Sequence, residues 1–425
     1  MIHVSNIRKE SADGWTRLVA DITYQGGGVL PSLEPVIWLA VKDENAHMLA
    51  DDVYDAFVLV PLYLAMYFKQ DLHIHGNVSK RLYKNIMNYL QRILCDFSPD
   101  LSRVNVTADG FAEAAGNQSV IGTGISCGVD SLTTIYDRYV MEDDPDYRVN
   151  GLFFFNCGTH GTFSDKSRAL YMERYNMNKR CADELGLPIY QVDTNLRAFT
   201  YQANDPGNGK AGYLAIWSCV LGLGRAVRRY YVSSCYSYRE LETFGRSKHD
   251  TDFAAYSESY SVPLIRTERL ELIIDGSQYE RNAKTERIAS WDITRKYLNV
   301  CGLYSDVTDS AKNCSQCKKC LRTLFALEAL CRLDDFAGVF DLDTYRRHSF
   351  RNKCDVVVSK YTDAHKLDNY NLARSHGLRL PSYPVAWLYL LPFRMAGLAK
   401  KALRRIIGRK RYESLKSRIK HNHSS

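Results

Sequence analysis

The sequence predicts an α/β protein built on a doubly wound parallel sheet. Three observations carry this. Between residues 116 and 300 strand patterns alternate with helix patterns, an order that right-handed crossovers turn into parallel strands. The run VNGLFFFN, residues 149–156, is apolar on both faces, as a strand covered by helices on either side must be. The small-residue segments 126–131 and 156–160 each follow a strand, so a parallel sheet brings both to its carboxyl edge, where such sheets bind ligands.

Four parts are expected in order. Residues 1–115 read as an accessory α+β unit. It has strands near 15–22 and 36–41 and helices near 52–68 and 81–97. His73 and His75 alternate as on a strand and lack an obvious third ligand nearby, so they are expected to be hydrogen-bonded or solvent-facing. Residues 116–300 hold the parallel sheet, with strands near 120–125, 149–156, 188–193 and 230–234. Its helices are expected near 167–185 and 213–227. Residues 301–375 carry a cysteine cluster and closing helices, and residues 376–425 a basic amphipathic tail.

Size and charge set limits. A chain of 425 residues holds two or three units. Its start, MIHVSNIRKESADGW, reads as lacking a signal peptide, and no run of about 18 apolar residues suits a spanning helix. Twelve cysteines in such a chain imply a reducing, cytoplasmic setting with metal-bound or buried thiols. The net charge of +8 is concentrated at one end, where residues 394–425 carry eleven Lys/Arg against one acid. The body is thus near neutral and gives no sign of a nucleic-acid groove.

The chemistry centres on Ser126-Cys127-Gly128-Val129-Asp130-Ser131, between an apolar strand and a helix pattern. Backbone N–H groups and the helix dipole at such a turn favour an anion, and Gly128 allows close approach of a phosphate. Asp130 would repel a phosphate unless a cation such as Mg²⁺ lay between them. No Gly-Lys-Ser/Thr follows, so this is not a Walker A loop.

Cys301, Cys314, Cys317 and Cys320 follow the spacing C-x12-C-x2-C-x2-C. Four thiolates suit a structural Zn²⁺, with a [4Fe–4S] cluster as the alternative.

The loop resembles Ser-Gly-Gly-x-Asp-Ser of the PP-loop ATP pyrophosphatases, which have an adenine nucleotide alpha hydrolase-like fold. Cys127 departs from that pattern, standing where the family usually has glycine. With the cysteine cluster and its following Leu-Arg, the chain is most similar to the 7-cyano-7-deazaguanine synthase family, over residues 118–330. The resemblance implies several roles. ATP pyrophosphate would lie in the 126–131 loop, and the base against Phe155 and Asn156. His160 would lie near substrate, and Lys284, in ERNAKTE after Val-Pro-Leu at 262–264, at the phosphates. On sequence alone Lys284 reads as a solvated lysine. The implied reaction is adenylation of a small-molecule or macromolecular acceptor with loss of pyrophosphate. An amine or ammonia would then displace AMP, and the enzyme would be a homo-oligomer. The alternatives are a thiolation enzyme with a sulfur donor working through Cys127, Cys157 or Cys235, a membrane-associated enzyme of surface polysaccharide synthesis, and a non-catalytic nucleotide-binding module. In the tail, aromatic residues from Pro384 lead into interleaved lysines and arginines. Residues 384–420 therefore suit an anionic membrane surface, with RNA or a protein partner as alternatives.

Overall fold

The computed structural model describes the chain except residues 25–34, 114–115, 117, 159–164, 203–210, 248–252, 302–312 and 408–425. Two compact units form, Met1–Cys314 with Gly338–Phe340 and Ser315–Ala337 with Asp341–Ser425.

The first unit is organised by one ten-stranded sheet among its described residues. Its strands are β1 (Ile2–Ala12), β2 (Trp15–Tyr24), β3 (Val36–Lys42), β4 (Leu72–Ser79), β5 (Val106–Ala112), β6 (Val120–Gly124), β7 (Gly151–Asn156), β8 (Ile189–Thr194), β9 (Val227–Ser233) and β10 (Glu271–Asp275). They lie in the order β10-β9-β6-β7-β8-β3-β2-β1-β4-β5. From β10 to β8 every pairing is parallel, as are β1 with β4 and β4 with β5. The β8–β3, β3–β2 and β2–β1 pairings are antiparallel. This mostly parallel α/β architecture is compatible with a Rossmann-like fold.

Strands from residues 1–115 and from residues 116–300 thus share one sheet, joined where Val41 of β3 faces Val192 of β8. They also share one core: Ile2, Leu39, Phe57 and Leu62 pack in the same cluster as Trp217, Val220 and Leu272. The apolar helix Gly212–Gly222 supplies much of that cluster. In β6 a side chain at Gly122 would collide with Phe153, whose ring comes within 2.5 Å of an ideal Cβ position.

Several elements differ from the sequence expectation. The helix expected over 52–68 begins as a 3₁₀ turn, Asp55–Phe57, before helix Leu59–Phe68. Buried Asp55 accepts hydrogen bonds from Ser79 N (2.7 Å) and Ser79 Oγ, which holds the turn outside the helix. The helix expected over 213–227 stops at Gly222, and the chain turns into β9 at Val227. Strands β1, β5 and β10 are additions to the sequence reading.

The second unit is helical: Lys318–Ala329, Leu342–Ser359, Ala364–Ser375 and Tyr383–Ile407. Asp341 and Asp363 cap two of these, accepting from Thr344 N (2.9 Å) and Lys366 N (3.2 Å). Cys354, Val357, Ala386 and Leu390 form a small core. Among the described residues no helix is long and apolar enough to cross a membrane.

Candidate functional site

After β6 the chain runs outward on one side through β7 and β8, then returns to pair β9 on the other side of β6. The carboxyl ends of β6 and β9 therefore flank a topological switch point, the place where doubly wound sheets open a crevice. The Ser126–Ser131 loop begins there and enters helix Val129–Ile135, whose N-cap is Gly128.

The loop is tightly braced. Ser126 Oγ lies 3.0 Å from Ser131 Oγ, Gly128 N donates to Ser126 Oγ at 3.3 Å, and Asn299 N donates to Cys127 O at 2.7 Å. Cys127 has φ 52°, the left-handed region where a side chain costs about 1 kcal/mol and glycine costs none. The position thus has a glycine's backbone and a cysteine's side chain. That thiol is buried, and a hydrogen bond with Cys181, then burial, push its pKa well above the ordinary thiol value.

Two cations meet at Asp130. The guanidinium of Arg281 pairs with Oδ2, and Lys284 Nζ lies 3.3 Å from Oδ1. Both cations stand on helix Arg281–Ala289, three residues apart and hence on one face. Lys284 is only 1% exposed, contrary to the sequence-only expectation of a solvated lysine. Its ammonium also donates to Ser234 O at 2.7 Å and Ser234 Oγ at 3.2 Å, just past β9. The turn after β6, the end of β9 and this helix therefore converge through one buried ammonium. Sequence reasoning missed Arg281 and Ser234; only the charge of ERNAKTE hinted at the first.

Beside the loop opens a cleft of about 570 Å³, within the range of small-molecule sites. Ser126, Cys127 and Ser131 line it, as do the aromatic residues Phe153, Phe155, Trp217 and Tyr230. Arg174, Arg180 and Lys296 bring positive charge, Lys296 paired with Glu184, and Glu258 brings a carboxylate. Of the residues expected at the base, Phe155 lines the cleft. Asn156 instead donates to Asp193 Oδ1 at 2.9 Å, and burial raises the pKa of that carboxyl. His160 lies outside the described residues.

The other thiols divide. Cys157 Sγ lies 3.9 Å from Cys219 Sγ, and that hydrogen bond, then burial, raise its pKa well above the ordinary value. Cys235, after β9, is exposed.

The sulfurs of Cys301, Cys314, Cys317 and Cys320 lie within 4.8 Å of one another. Cys301 and Cys320 are buried. Asn313 Oδ1 accepts from Val300 N (2.8 Å) and Cys301 N (3.2 Å), and Cys320 N donates to Cys317 Sγ at 3.5 Å. The spacing and softness of these donors fit a tetrahedral thiophilic metal, and the group could hold one. Asn313 is a bracing residue that sequence reading missed.

Comparison with protein-family models, with curated proteins and with solved structures found no match for this chain.

Proposed function

We propose that the chain is an ATP-dependent enzyme of the PP-loop ATP pyrophosphatase type, similar to 7-cyano-7-deazaguanine synthase. The observation that carries this reading is the buried Lys284, held against Asp130 of the loop at the sheet's switch point. A solvated lysine has no reason to enter a sheet's crevice, whereas an ammonium held there is positioned for an anion.

In this reading ATP lies with its pyrophosphate in the 126–131 turn, among the first N–H groups of the helix and the hydroxyls of Ser126 and Ser131. Asp130, a hard oxygen donor, is the residue that would hold Mg²⁺, whose charge would offset that of the phosphates. A carboxylate or amide oxygen of the acceptor attacks the α-phosphorus. The Pα–O bond to the β-phosphate breaks, and pyrophosphate leaves with the electron pair, stabilised by the turn and Lys284. An amine or ammonia then attacks the adenylated carbon and AMP leaves. The aromatic and cationic cleft suits a planar, acidic small molecule. The four cysteines would hold Zn²⁺ in preference to [4Fe–4S]; with every position filled by protein, the metal's part is structural. A homo-oligomer and a free or partner-delivered nitrogen source belong to the same proposal.

The thiolation alternative is weakened by the raised pKa values of Cys127 and Cys157, which keep both thiols protonated. The test is incubation of purified protein with labelled ATP and candidate acids. Acid-dependent AMP and pyrophosphate support the reading. ADP formation, or turnover unchanged in Asp130→Asn, overturns it, and no turnover with any acid favours the nucleotide-binding module.

A second observation favours a membrane surface. Helix Tyr383–Ile407 exposes Val385 (51%), Leu388 (61%), Met395 (62%) and Leu398 (66%) before its basic end. An apolar row running into lysines and arginines suits anionic lipid, and with it peripheral attachment at the inner membrane face. Flotation with anionic vesicles, lost on deletion of residues 380–425, supports this. Retention of RNA in place of vesicles overturns it.

A further inference from the structure

Strands β1, β4 and β5 run parallel at the far end of the sheet from the cleft. Their register pairs His3 with His73 and His73 with Thr107. Side chains two residues apart share a face of a strand, so His75 and Asp109 join this group. The intervening residues Ile2, Val4, Leu72, Ile74 and Val106 are buried in the core. Three of the chain's eleven histidines thus gather with a carboxylate on one patch of the sheet.

The donor atoms converge. Ligand atoms of His73, His75 and Asp109 lie within 4.8 Å of one another, and His73 Nε2 is 3.1 Å from Asp109 Oδ1. The rings of His73 and His75 meet edge to face with centroids 4.3 Å apart. Each imidazole has its own support. His73 Nδ1 lies 2.7 Å from Thr107 Oγ1, a contact that can hold the proton on Nδ1 and leave Nε2 free to ligate. His3 Nδ1 lies 3.0 Å from His75 Nε2 across nearly stacked rings, while His3 Nε2 is buried with no hydrogen-bond partner among the described residues. The protein alone therefore leaves the polar capacity of the cluster partly unmet.

We propose that His73, His75 and Asp109 form a surface site for a divalent transition-metal ion of the zinc, cobalt or nickel class, with His3 and Thr107 holding the two imidazoles. Two imidazoles and one carboxylate prefer such ions over Mg²⁺ or Ca²⁺ and leave further positions to water. His73 is hydrogen-bonded and His75 exposed, as expected; the third donor that the sequence did not show nearby is Asp109, on the neighbouring parallel strand.

The test is Ni²⁺ titration, by calorimetry, of the full-length untagged protein with its cysteine-bound metal retained. The wild type is expected to take up one Ni²⁺ that His73→Ala abolishes. Thr107→Val should weaken it by ~10-fold or more, the usual effect of removing a group that orients a metal-bound histidine. Asp109→Asn, at a half-exposed position that the fold does not depend on, should also lose the ion. A Co²⁺ spectrum without thiolate charge-transfer bands assigns the uptake to this patch instead of to the cysteines. Ni²⁺ uptake equal in wild type, His73→Ala and Asp109→Asn, or no uptake by the wild type, overturns the site and leaves a hydrogen-bonded histidine cluster only.

Discussion

Replacing Lys284 with methionine separates a buried, organising ammonium from a solvated one. Methionine preserves most of the aliphatic stem, so the change removes charge and hydrogen bonds with little change in volume. Three contacts are lost: Ser234 O at 2.7 Å, Ser234 Oγ at 3.2 Å and Asp130 Oδ1 at 3.3 Å. Asp130 keeps Arg281, and its side chain is 22% exposed, so water can replace the lost partner there. The carbonyl of buried Ser234 has no such recourse. One charge-assisted bond to a buried acceptor then sets the cost, about 2–3 kcal/mol. A surface lysine would change stability by no more than about 0.5 kcal/mol. The assay is urea unfolding followed by tryptophan fluorescence, with the midpoint compared at unchanged slope. In the same protein AMP release should fall by ~10²–10³, the usual cost of removing one donor to a developing anion. A midpoint and an AMP yield both indistinguishable from wild type would refute the burial argument and the catalytic one together.

Three further predictions follow from other sites. Burial raises the Asp55 carboxyl from 3.8 to about 6, so the folded chain holds a proton that the unfolded chain releases. Stability therefore falls as pH rises from about 4 to about 6 and is flat above; Asp55→Asn should flatten this part of the Tm-against-pH curve. Cys127→Gly relieves the left-handed backbone but loses a buried thiol, terms of ~1 kcal/mol each. Melting should show stability within about 1 kcal/mol of wild type, with AMP formation retained. Loss of AMP formation in a stable Cys127→Gly protein would instead make that thiol a reagent. Cys320→Ser should lower bound zinc, measured by mass spectrometry, by one equivalent; unchanged content would place the metal elsewhere.

The parallel half of the sheet was legible because β6 and β7 are short, largely apolar runs and β8 and β9 continue the same alternation with helices, a local pattern that needs no partner to be recognised. The Asp13-Gly14 hairpin between β1 and β2, with both residues at positive φ, is equally local in origin. Other features were hidden by distance along the chain. Nothing in RNAKTERIA distinguishes a helix that buries Lys284 from one that presents it to water. The side of that helix facing Asp130 follows only from where the sheet's crossovers place it. Asp109 was missed as a partner of His73 for the same reason, since parallel pairing of β4 with β5 leaves no turn between them to reveal it. The cysteine spacing was the opposite case, with three of four donors fixed by local geometry.

The seam between β3 and β8 has a practical consequence. A fragment beginning at residue 116 would strip β8 of its neighbour β3 and bare backbone donors and acceptors along that strand. Such a rim invites pairing with the rims of other molecules. The half that carries the 126–131 loop, cut away from its first 115 residues, should therefore precipitate rather than remain dispersed, even with every residue of the loop and cleft intact.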